Sequence, residues 1–423
     1  MKIVQVLENF FPDSIGGTET YVLNISRFFM DAGHEVHVVA PSINGNRDYL
    51  FKKINVHRYS IDKVASKAEY KQLTEPKGLD DFIHIIKSIR PDIVHFNTFN
   101  RSINIYHLKA VKGLGIKAFL TPHISGIFCA KGSMIDYQNR KCDGIVRNHN
   151  CVKCYLRSNN YSLLSSLFTI ITEKFINIHP NIDKYIPAPA FIKKNRTAEF
   201  DCLVKYADKV IALSPWIEST LKLNGISNTI LVRQGISKEL INPEPDIAPL
   251  NDKLRLIFIG RIYQIKDLET LCDAIDTVDS DKIELTMACI CGSDEYAQRI
   301  KKRMSNRENI NWMENIPQRE LSQLIRNNDF LVLTSISEMS PLVILESFAN
   351  GVPVIATDIP PVQDNVQNGL NGILFPVGDS KKLTYIINDL INNPTKKSVM
   401  RSNVKPPRTF DDVASELLEI YNS

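Results

Sequence analysis

Short apolar runs alternate with amphipathic stretches along most of this chain. Residues 2–7 are apolar and β-branched, as expected for a buried parallel strand, and residues 21–29 then place apolar side chains at helical spacing. The alternation continues through two blocks, separated at 242–252 by a stretch rich in Pro and acidic residues. Strands that alternate with helices in this way predict an α/β fold with doubly wound parallel sheets.

The pattern also predicts where the elements and domains lie. The predicted strands are 2–7, 36–40, 56–60, 92–96, 117–120, 209–213 and 229–232 in the first block and 254–259, 283–289, 310–313, 329–333, 352–356 and 373–375 in the second. We therefore predict a first domain at 1–245, a second at 246–408 and a terminal helix at 409–423. The alternation stops at 124–200, which we interpret as an insertion in the first domain.

The length of the chain supports two domains. It has 423 residues, 43% hydrophobic and 23% charged, and one ordinary core does not organise so many, so two domains of about 200 residues are expected. The first residues lack the pattern of a signal peptide, and no apolar run reaches the roughly 18 residues of a spanning helix. These features predict a cytoplasmic protein.

Charge is unevenly distributed along the chain. Residues 1–245 contain 32 Lys and Arg against 22 Asp and Glu, or +10, and the remainder has 19 against 25, or −6. The basic half favours an anionic partner such as a membrane surface or a phosphorylated lipid, with ordinary scatter as the alternative. The apolar segment 162–178, near Lys193, Lys194 and Arg196, predicts either peripheral membrane contact or a helix packed on its own domain. No nucleic-acid partner is expected.

Polar residues of the first block follow predicted strands. Gly16 and Gly17 come between a strand and a helix, where backbone N–H groups can bind an anion; a plain tight turn is the alternative. The pattern is not G-x-G-x-x-G, which disfavours a nicotinamide-type site. Asn97, Thr98 and His123 each follow a strand directly. Since ligands bind beyond the carboxyl ends of such strands, we predict that His123 faces a ligand and that Asn97 and Thr98 lie at the same edge of the sheet.

Two loops of the second block carry charged side chains. Arg261 and Lys266 follow strand 254–259, and together they can neutralise a diphosphate without a metal; a solvated basic loop is the alternative. Glu338 and Glu346 are separated by seven residues, one in the loop after strand 329–333 and one in the next helix. A ligand site at the carboxyl ends of the strands is one interpretation. A capping carboxylate plus a surface Glu is the other.

Four cysteines occupy the insertion. Cys129, Cys142, Cys151 and Cys154 have the spacing C-x12-C-x8-C-x2-C, which predicts a structural zinc site in a loop without a core of its own. Two disulfides or unpaired thiols are the alternatives, and a reducing compartment disfavours the disulfides. The chain contains no Walker A loop, H-E-x-x-H helix or G-x-S-x-G elbow, so NTPase, metalloprotease and lipase functions lack support.

Together these segments resemble the retaining nucleotide-sugar glycosyltransferases of family 4. They occur in the family's order over nearly the whole chain: Gly16-Gly17, Gly33–Val36, Asp92–His95, Thr121–His123, Ala207–Ser214, Gly260-Arg261 with Lys266, Glu338 with Glu346, and Gly351–Ala356. The resemblance implies the GT-B fold, in which two Rossmann-like domains face each other across a cleft and the C-terminal helix returns to the first domain. The chain departs from the family at Met339-Ser340, where Gly-Phe is usual.

The resemblance implies a donor site mostly on the second domain. Arg261 and Lys266 would hold the diphosphate, Glu346 the ribose hydroxyls and Glu338 the hydroxyls of the donor sugar. Further donor contacts are implied for the segment after Glu338 and for the loop that borders the base: Met339, Ser340, Pro341, Leu342, Asn315 and Ile316. From the first domain, Gly17 beside Gly16 would approach the diphosphate and His123 the transferred sugar, and Asn97 and Thr98 would lie on the acceptor side. The residues implied at the reacting centre are therefore His123, Arg261, Lys266 and Glu338.

The predicted function follows from this resemblance. It is the metal-independent, retaining transfer of a hexose from a nucleotide-diphosphate donor to a glycan or lipid-linked glycan in surface polysaccharide synthesis. The resemblance implies UDP as the nucleotide. A UDP-sugar epimerase of the same fold and a non-catalytic sugar-nucleotide-binding protein are the alternatives. No cofactor is expected for catalysis.

Overall fold

The protein consists of two compact units. The computed structural model describes residues 1–14, 16–63, 74–100, 102–129, 131–138, 140–158, 188–241 and 253–423. Residues Met1–Arg233 and Val413–Ser423 form the first unit, and Gln234–Asp412 form the second. Each unit has its own mainly parallel sheet, which confirms the predicted two-domain α/β fold. The predicted boundary at residue 245 and the apolar segment 162–178 lie outside the described residues.

The sheet of the first unit has eight strands within the described ranges, in the order β3-β4-β2-β1-β5-β6-β7-β8. The strands are β1 (Lys2–Val6), β2 (Glu35–Ser42), β3 (Arg47–Phe51), β4 (Ile54–Ser60), β5 (Ile93–Phe96), β6 (Lys117–Leu120), β7 (Lys209–Ala212) and β8 (Thr229–Leu231). All pairings are parallel except that of β3 with β4. The sequence does not predict β3, because this edge strand is mostly exposed and lacks a buried apolar run.

Helices cover the first sheet. They are α1 (Gly17–Asp31), α2 (Leu79–Ile89), α3 (Ile105–Gly113), α4 (Asn148–Ser158), α5 (Ala188–Tyr206) and α6 (Pro215–Leu223). Local sequence explains several of their starts. The Ser214 side chain, for example, accepts a hydrogen bond from the Ile217 N–H, and Pro215 occupies the first helical position of α6. No helix in the described part of the chain is both long enough and apolar enough to cross a membrane.

The second unit is built on a parallel sheet of the order β11-β10-β9-β12-β13-β14. The strands are β9 (Leu254–Arg261), β10 (Ile283–Ile290), β11 (Ile310–Glu314), β12 (Phe330–Leu333), β13 (Val354–Thr357) and β14 (Gly372–Phe375). The helices are α7 (Leu268–Asp276), α8 (Glu295–Met304), α9 (Gln318–Arg326), α10 (Leu342–Ala349), α11 (Pro360–Gln363), α12 (Ser380–Asn392) and α13 (Thr395–Ser402). This is the doubly wound order of nucleotide-binding folds.

The strand order of the second sheet reverses between β9 and β12. These neighbours pair through Leu256 with Phe330 and Ile257 with Leu331. The chain leaves β9 toward β10 on one side and leaves β12 toward β13 on the other, so a crevice opens beyond their carboxyl ends. The loops that carry Lys266 and Glu338 therefore start side by side.

The last helix, α14 (Phe410–Asn422), returns the chain to the first unit. Tyr421 is almost fully buried, and its ring lies 4.9 Å from that of Phe119. Its hydroxyl hydrogen-bonds to Nδ1 of His95, and Nε2 of His95 lies 2.7 Å from Oγ1 of Thr121. The predicted return of the C-terminal helix is thus confirmed, and the helix ends on strands whose loops carry candidate site residues.

A buried ionic cluster joins β9, β12 and α13 in the second unit. Asp329 is 8% exposed and accepts hydrogen bonds from the Arg255 backbone N–H at 2.8 Å and from the Arg255 guanidinium at 3.1 Å. The Lys397 ammonium lies 3.4 Å from the same carboxylate. Removal of Asp329 would leave the buried Lys397 and the mostly buried Arg255 without their anion.

We expect Asp329→Ala to destabilise the second unit by about 3–5 kcal/mol, because breaking a buried ion pair leaves uncompensated charge. Urea unfolding followed by circular dichroism measures the loss. Asp411→Ala is the matched control, since it breaks a more exposed pair with Lys238, for which about 1 kcal/mol or less is expected. Equal losses in the two variants would contradict the prediction.

Candidate functional site

A partly buried ion pair lies where the second sheet reverses. Lys266 ends the 3₁₀ turn Gln264–Lys266 after β9, and its Nζ lies 2.6 Å from Oε1 of Glu338 in the loop after β12. The hydroxyl of Ser335 donates to the same carboxylate oxygen at 2.7 Å. The Lys266 and Glu338 side chains are 20% and 14% exposed. Charge-assisted hydrogen bonds of this kind fix both groups in a defined geometry.

Backbone contacts hold the two loops together. Oγ1 of Thr334 donates to the Lys266 carbonyl at 2.7 Å, and the Ile336 N–H donates to the Ile265 carbonyl at 2.8 Å. The positions of the loops therefore do not depend on the Lys266 side chain alone. The sequence does not indicate Thr334, because its partner Lys266 lies 68 residues away in the chain and leaves no local pattern. Ser335 contacts Glu338 only three residues further on.

Gly260 and Arg261 end β9 beside this pair. Gly260 has φ +150°, a conformation that side-chain-bearing residues rarely adopt, so the strand end favours glycine. Arg261 follows and is exposed. The predicted pair of cations, Arg261 and Lys266, therefore stands on one strand–helix connection, with one cation free in solvent and the other engaged by Glu338.

The N-terminus of α10 adjoins the Glu338 loop. Pro341 occupies the N-cap position without a side-chain cap and has no N–H of its own. The N–H groups of the first turn, from Leu342 onward, are those that a helix leaves without an intrahelical partner, and they attract anions. Met339 and Pro341 are buried, whereas Ser340 and Leu342 are partly exposed. Met339-Ser340 thus places one side chain in the interior and one at the surface.

Glu346 lies one turn into α10. Its side chain is only partly exposed, and burial raises the pKa of its carboxyl to about 7. A carboxyl group that exchanges its proton near neutral pH can accept or donate hydrogen bonds to hydroxyl groups. The interpretation of Glu346 as a mere surface residue is therefore not favoured.

The predicted base-binding loop follows β11. Asn315 has φ +56° and its N–H donates to the Cys289 carbonyl at 3.2 Å, which ties this loop to the end of β10. The Asn315 side chain is exposed, whereas Ile316 is partly buried against the core. The loop lies at the same edge of the sheet as Lys266 and Glu338, two strands away from β9.

In the first unit, Glu19 covers the predicted glycine site. Gly16 is the extended N-cap of α1, and Gly17 begins the helix. A side chain at Gly16 would meet the Glu19 carboxylate, since a Cβ there would lie 2.6 Å from Oε2. Ser14 donates a hydrogen bond to Oε1 of Glu19 at 2.9 Å. A carboxylate thus lies at the helix terminus where an anion was predicted, and Glu19 is a residue that the sequence interpretation missed.

Asn97 and Thr98 have different environments. Asn97 is fully buried, and its amide donates to Oε1 of Gln5 at 2.7 Å and to the His95 carbonyl at 3.3 Å. Thr98 lines a cavity of about 230 Å³ near the carboxyl ends of β1 and β5, together with Glu19. Thr98 therefore lies in the wall of a cavity, whereas Asn97 is enclosed among the strand ends.

His123 presents an unpaired ring nitrogen. The residue is partly exposed, and its ring packs edge-on against Tyr21 with centroids 4.6 Å apart. Nε2 is enclosed and has no hydrogen-bond partner among the described residues. Burial lowers the pKa of His123 to about 3, so the imidazole is neutral at physiological pH. A hydroxyl group of a ligand would satisfy this nitrogen.

The four cysteines of the insertion line one cavity of about 290 Å³. All four thiols are free. Over the ranges that the structure describes, no group of three His, Cys, Asp or Glu side chains stands ready to hold a metal ion. The structure therefore brings the four thiols to one place without arranging them as ligands.

Comparison with known proteins agrees with this geometry. A family model described as glycosyl transferases group 1 matches residues 243–406, and a second, described as Glycosyltransferase Family 4, matches residues 15–160. Between them they cover well over half of the chain. The first match contains Arg261, Lys266, Glu338 and Glu346, and the second contains His123.

Individual relatives are more distant. An uncharacterised glycosyltransferase of Methanocaldococcus jannaschii is 28% identical over 208 residues, which are 48% of this chain and 56% of the relative. Lipopolysaccharide 1,6-galactosyltransferase of Salmonella typhimurium is 27% identical over 202 residues, 46% of this chain and 55% of the relative. The chain thus spans about half the length of these curated relatives.

A solved structure matches over the full length. HepE of Anabaena, in complex with UDP and glucose, aligns with 100% of both chains at a TM-score of 0.68 and 16% identity, which shows the shared GT-B fold. One conclusion follows from the family models, and it agrees with the doubly wound sheets and the Lys266–Glu338 pair. The chain belongs to the glycosyltransferases of group 1 and family 4.

Proposed function

We propose that this chain is a retaining glycosyltransferase that transfers a hexose from a UDP-sugar to a glycan or lipid-linked glycan in surface polysaccharide synthesis. The observation that carries the proposal is the Lys266–Glu338 ion pair, 2.6 Å long, at the reversal of the second sheet. A nucleotide-sugar carries a diphosphate next to a sugar, and this pair offers a cation beside a hydrogen-bond acceptor at the place where such folds bind ligands.

The diphosphate is the first group to be recognised. Lys266, Arg261 and the N-terminal N–H groups of α10 together supply positive charge at one edge of the sheet. When the diphosphate attracts Lys266, Glu338 loses its cation but keeps the hydrogen bond from Ser335. The freed carboxylate oxygen then accepts hydrogen bonds from hydroxyl groups of the donor sugar. No metal ion is needed to neutralise the diphosphate in this arrangement.

The nucleoside is held farther along the same edge. Glu346 binds the ribose hydroxyls, and Asn315 and Ile316 border the base. Support for uracil comes from HepE, which is described in complex with UDP. Support for a glycan acceptor comes from the relative named lipopolysaccharide 1,6-galactosyltransferase. The basic first half of the chain fits a lipid-linked acceptor at the inner face of a membrane.

The reaction exchanges one bond at the anomeric carbon. The bond from this carbon to the phosphate oxygen breaks, and a bond to the acceptor oxygen forms on the same face of the sugar. The proton of the acceptor hydroxyl passes to the departing phosphate oxygen, and UDP leaves. Lys266 and Arg261 stabilise the charge that develops on the phosphate, and the neutral His123 hydrogen-bonds a sugar hydroxyl.

A donor screen tests this function. We expect UDP-hexoses to raise the melting temperature of the full chain more than GDP- or ADP-hexoses, because binding to the folded state stabilises it. Incubation with glycan and lipid-linked acceptors should then give products heavier by one hexose, with the anomeric configuration retained by NMR and with no requirement for added Mg²⁺ or Mn²⁺. Conversion of the donor to its epimer without acceptor would contradict the proposal, as would donor binding without turnover across the acceptor set.

A further inference from the structure

Three separate segments bring the four cysteines of the insertion to one cavity. Cys129 follows the 3₁₀ turn Ser125–Ile127, and Cys142 follows the isolated bridge between Ile135 and Lys141. Cys151 and Cys154 lie three residues apart in α4, a spacing that places both on one helical face. All four line the same cavity of about 290 Å³. The spacing seen in the sequence thus corresponds to a meeting point in space.

The segment around this cavity has little regular structure. Within the described residues of 124–158 it consists of the 3₁₀ turn Ser125–Ile127, α4 and one isolated bridge. Phe128 packs edge-on against Trp216, and Asn224 donates to the Gly144 carbonyl at 3.0 Å and accepts from the Val146 N–H at 2.8 Å. These contacts attach the segment to α6. Within the segment, the Ser125 hydroxyl donates to the Gly132 carbonyl, and the Lys153 ammonium lies 5.7 Å from the centre of the Tyr137 ring. A bound ion at the cysteines would add one link shared by all three parts.

The charges that line the cavity complement a zinc–thiolate centre. The charged residues of its lining are Lys131, Arg140, Arg147 and Lys153 with Asp136 and Asp143. Arg140 and Arg147 form ion pairs with the two aspartates. This leaves two positive charges. A zinc ion with four thiolates carries two negative charges, so the lining balances the centre. Without such an anion the cavity has an excess of cations.

Tetrahedral zinc binding requires the four sulfur atoms to converge on one point, with Zn–S distances of about 2.3 Å. The sulfurs do not yet meet at one point. Rotation about χ1 moves a cysteine sulfur between staggered positions without changing the chain path.

We propose that Cys129, Cys142, Cys151 and Cys154 bind one structural Zn²⁺ tetrahedrally. Binding draws the four sulfurs together, and each thiol that becomes a ligand releases its proton to solvent. The ion joins the three segments of the insertion to one another. This site takes no part in sugar transfer, so the proposal does not depend on the donor or the acceptor.

Metal analysis of the full chain tests the site. We expect protein purified under reducing conditions to contain one zinc per chain by plasma mass spectrometry. Cys129→Ser, Cys142→Ser, Cys151→Ser and Cys154→Ser should each lose most of it. Cys202→Ser is the matched control and should keep it, because Cys202 belongs to the same unit but lies in α5, outside the cavity lining.

Cobalt provides a readout that does not depend on any variant's folding. Wild-type protein freed of zinc and given Co²⁺ should develop the charge-transfer and d–d absorption bands of a tetrahedral thiolate site. Zinc content in the wild type no higher than in the four variants would overturn the proposal. So would an intact mass that shows two disulfides in the reduced preparation, or cobalt spectra of an octahedral, oxygen-ligated ion.

Discussion

Lys266→Ala should reduce kcat about 10²–10³-fold, the usual loss when one group that stabilises transition-state charge is removed. The Lys266 ammonium lies 2.6 Å from Glu338, at the place where we put the departing diphosphate. The charge on the diphosphate grows as the bond to the sugar breaks. Removal of the Lys266 ammonium should therefore affect kcat more than KM. Initial rates with a UDP-hexose, measured by product mass spectrometry, test this.

The fold should survive this substitution. The Lys266 carbonyl still accepts the hydrogen bond from Thr334, and Glu338 still accepts that from Ser335. Lys396→Ala is the matched control, because Lys396 also forms a 2.7 Å ion pair in the second unit but is 47% exposed. If Lys396→Ala and Lys266→Ala both show normal turnover, the assignment of the site is excluded.

Glu346→Gln should weaken UDP binding about 10-fold or more and at the same time stabilise the protein above neutral pH. Hydrogen bonds to a charged group contribute about 1.5–3 kcal/mol, more than those to a neutral amide, so the loss of the carboxylate weakens the hold on the ribose. Calorimetric titration of wild type and variant with UDP at pH 8 measures the change in affinity.

The stability effect follows from the raised pKa of Glu346, which is about 7 in the folded chain against an ordinary value of 4.5. In the folded state the Glu346 carboxyl keeps its proton in a pH range where the same carboxyl of the unfolded chain has released it. The wild type therefore loses stability as pH rises from about 4.5 to 7, and the neutral variant does not. At about 1.4 kcal/mol per pKa unit, the variant should gain on the order of 1–3 kcal/mol at pH 8 relative to pH 4.

The control for both effects is Glu284→Gln, an exposed carboxylate of β10 in the same unit. It should change neither UDP affinity nor the pH profile of urea unfolding. A Glu346→Gln variant that binds UDP as tightly as wild type would separate Glu346 from the donor. If Glu346→Gln has the same pH profile of stability as the wild type, the Glu346 carboxyl of the folded wild type is ionised throughout this range.

Local pattern predicted most of the elements. Every predicted strand is present, with ends within two residues of the prediction, because buried parallel strands require continuous apolar runs that the sequence displays directly. The spacing of Glu338 and Glu346 likewise predicted one residue in a loop and one in a helix. The sequence did not predict edge strand β3, because this strand buries little apolar surface.

The sequence alone therefore determined the type and order of the elements and the candidate chemistry, since 3.6-residue and 2-residue periodicities are local properties. Only the tertiary structure decided which candidates meet. The placement of β9 beside β12 joins Lys266 to Glu338 across 72 residues. Folding also turned Asn97 inward, brought Glu19 over Gly16, enclosed Glu346 enough to raise its pKa and gathered four thiols around one cavity. These outcomes depend on strand order and burial, which arise from contacts between distant segments and leave no periodic trace in the chain.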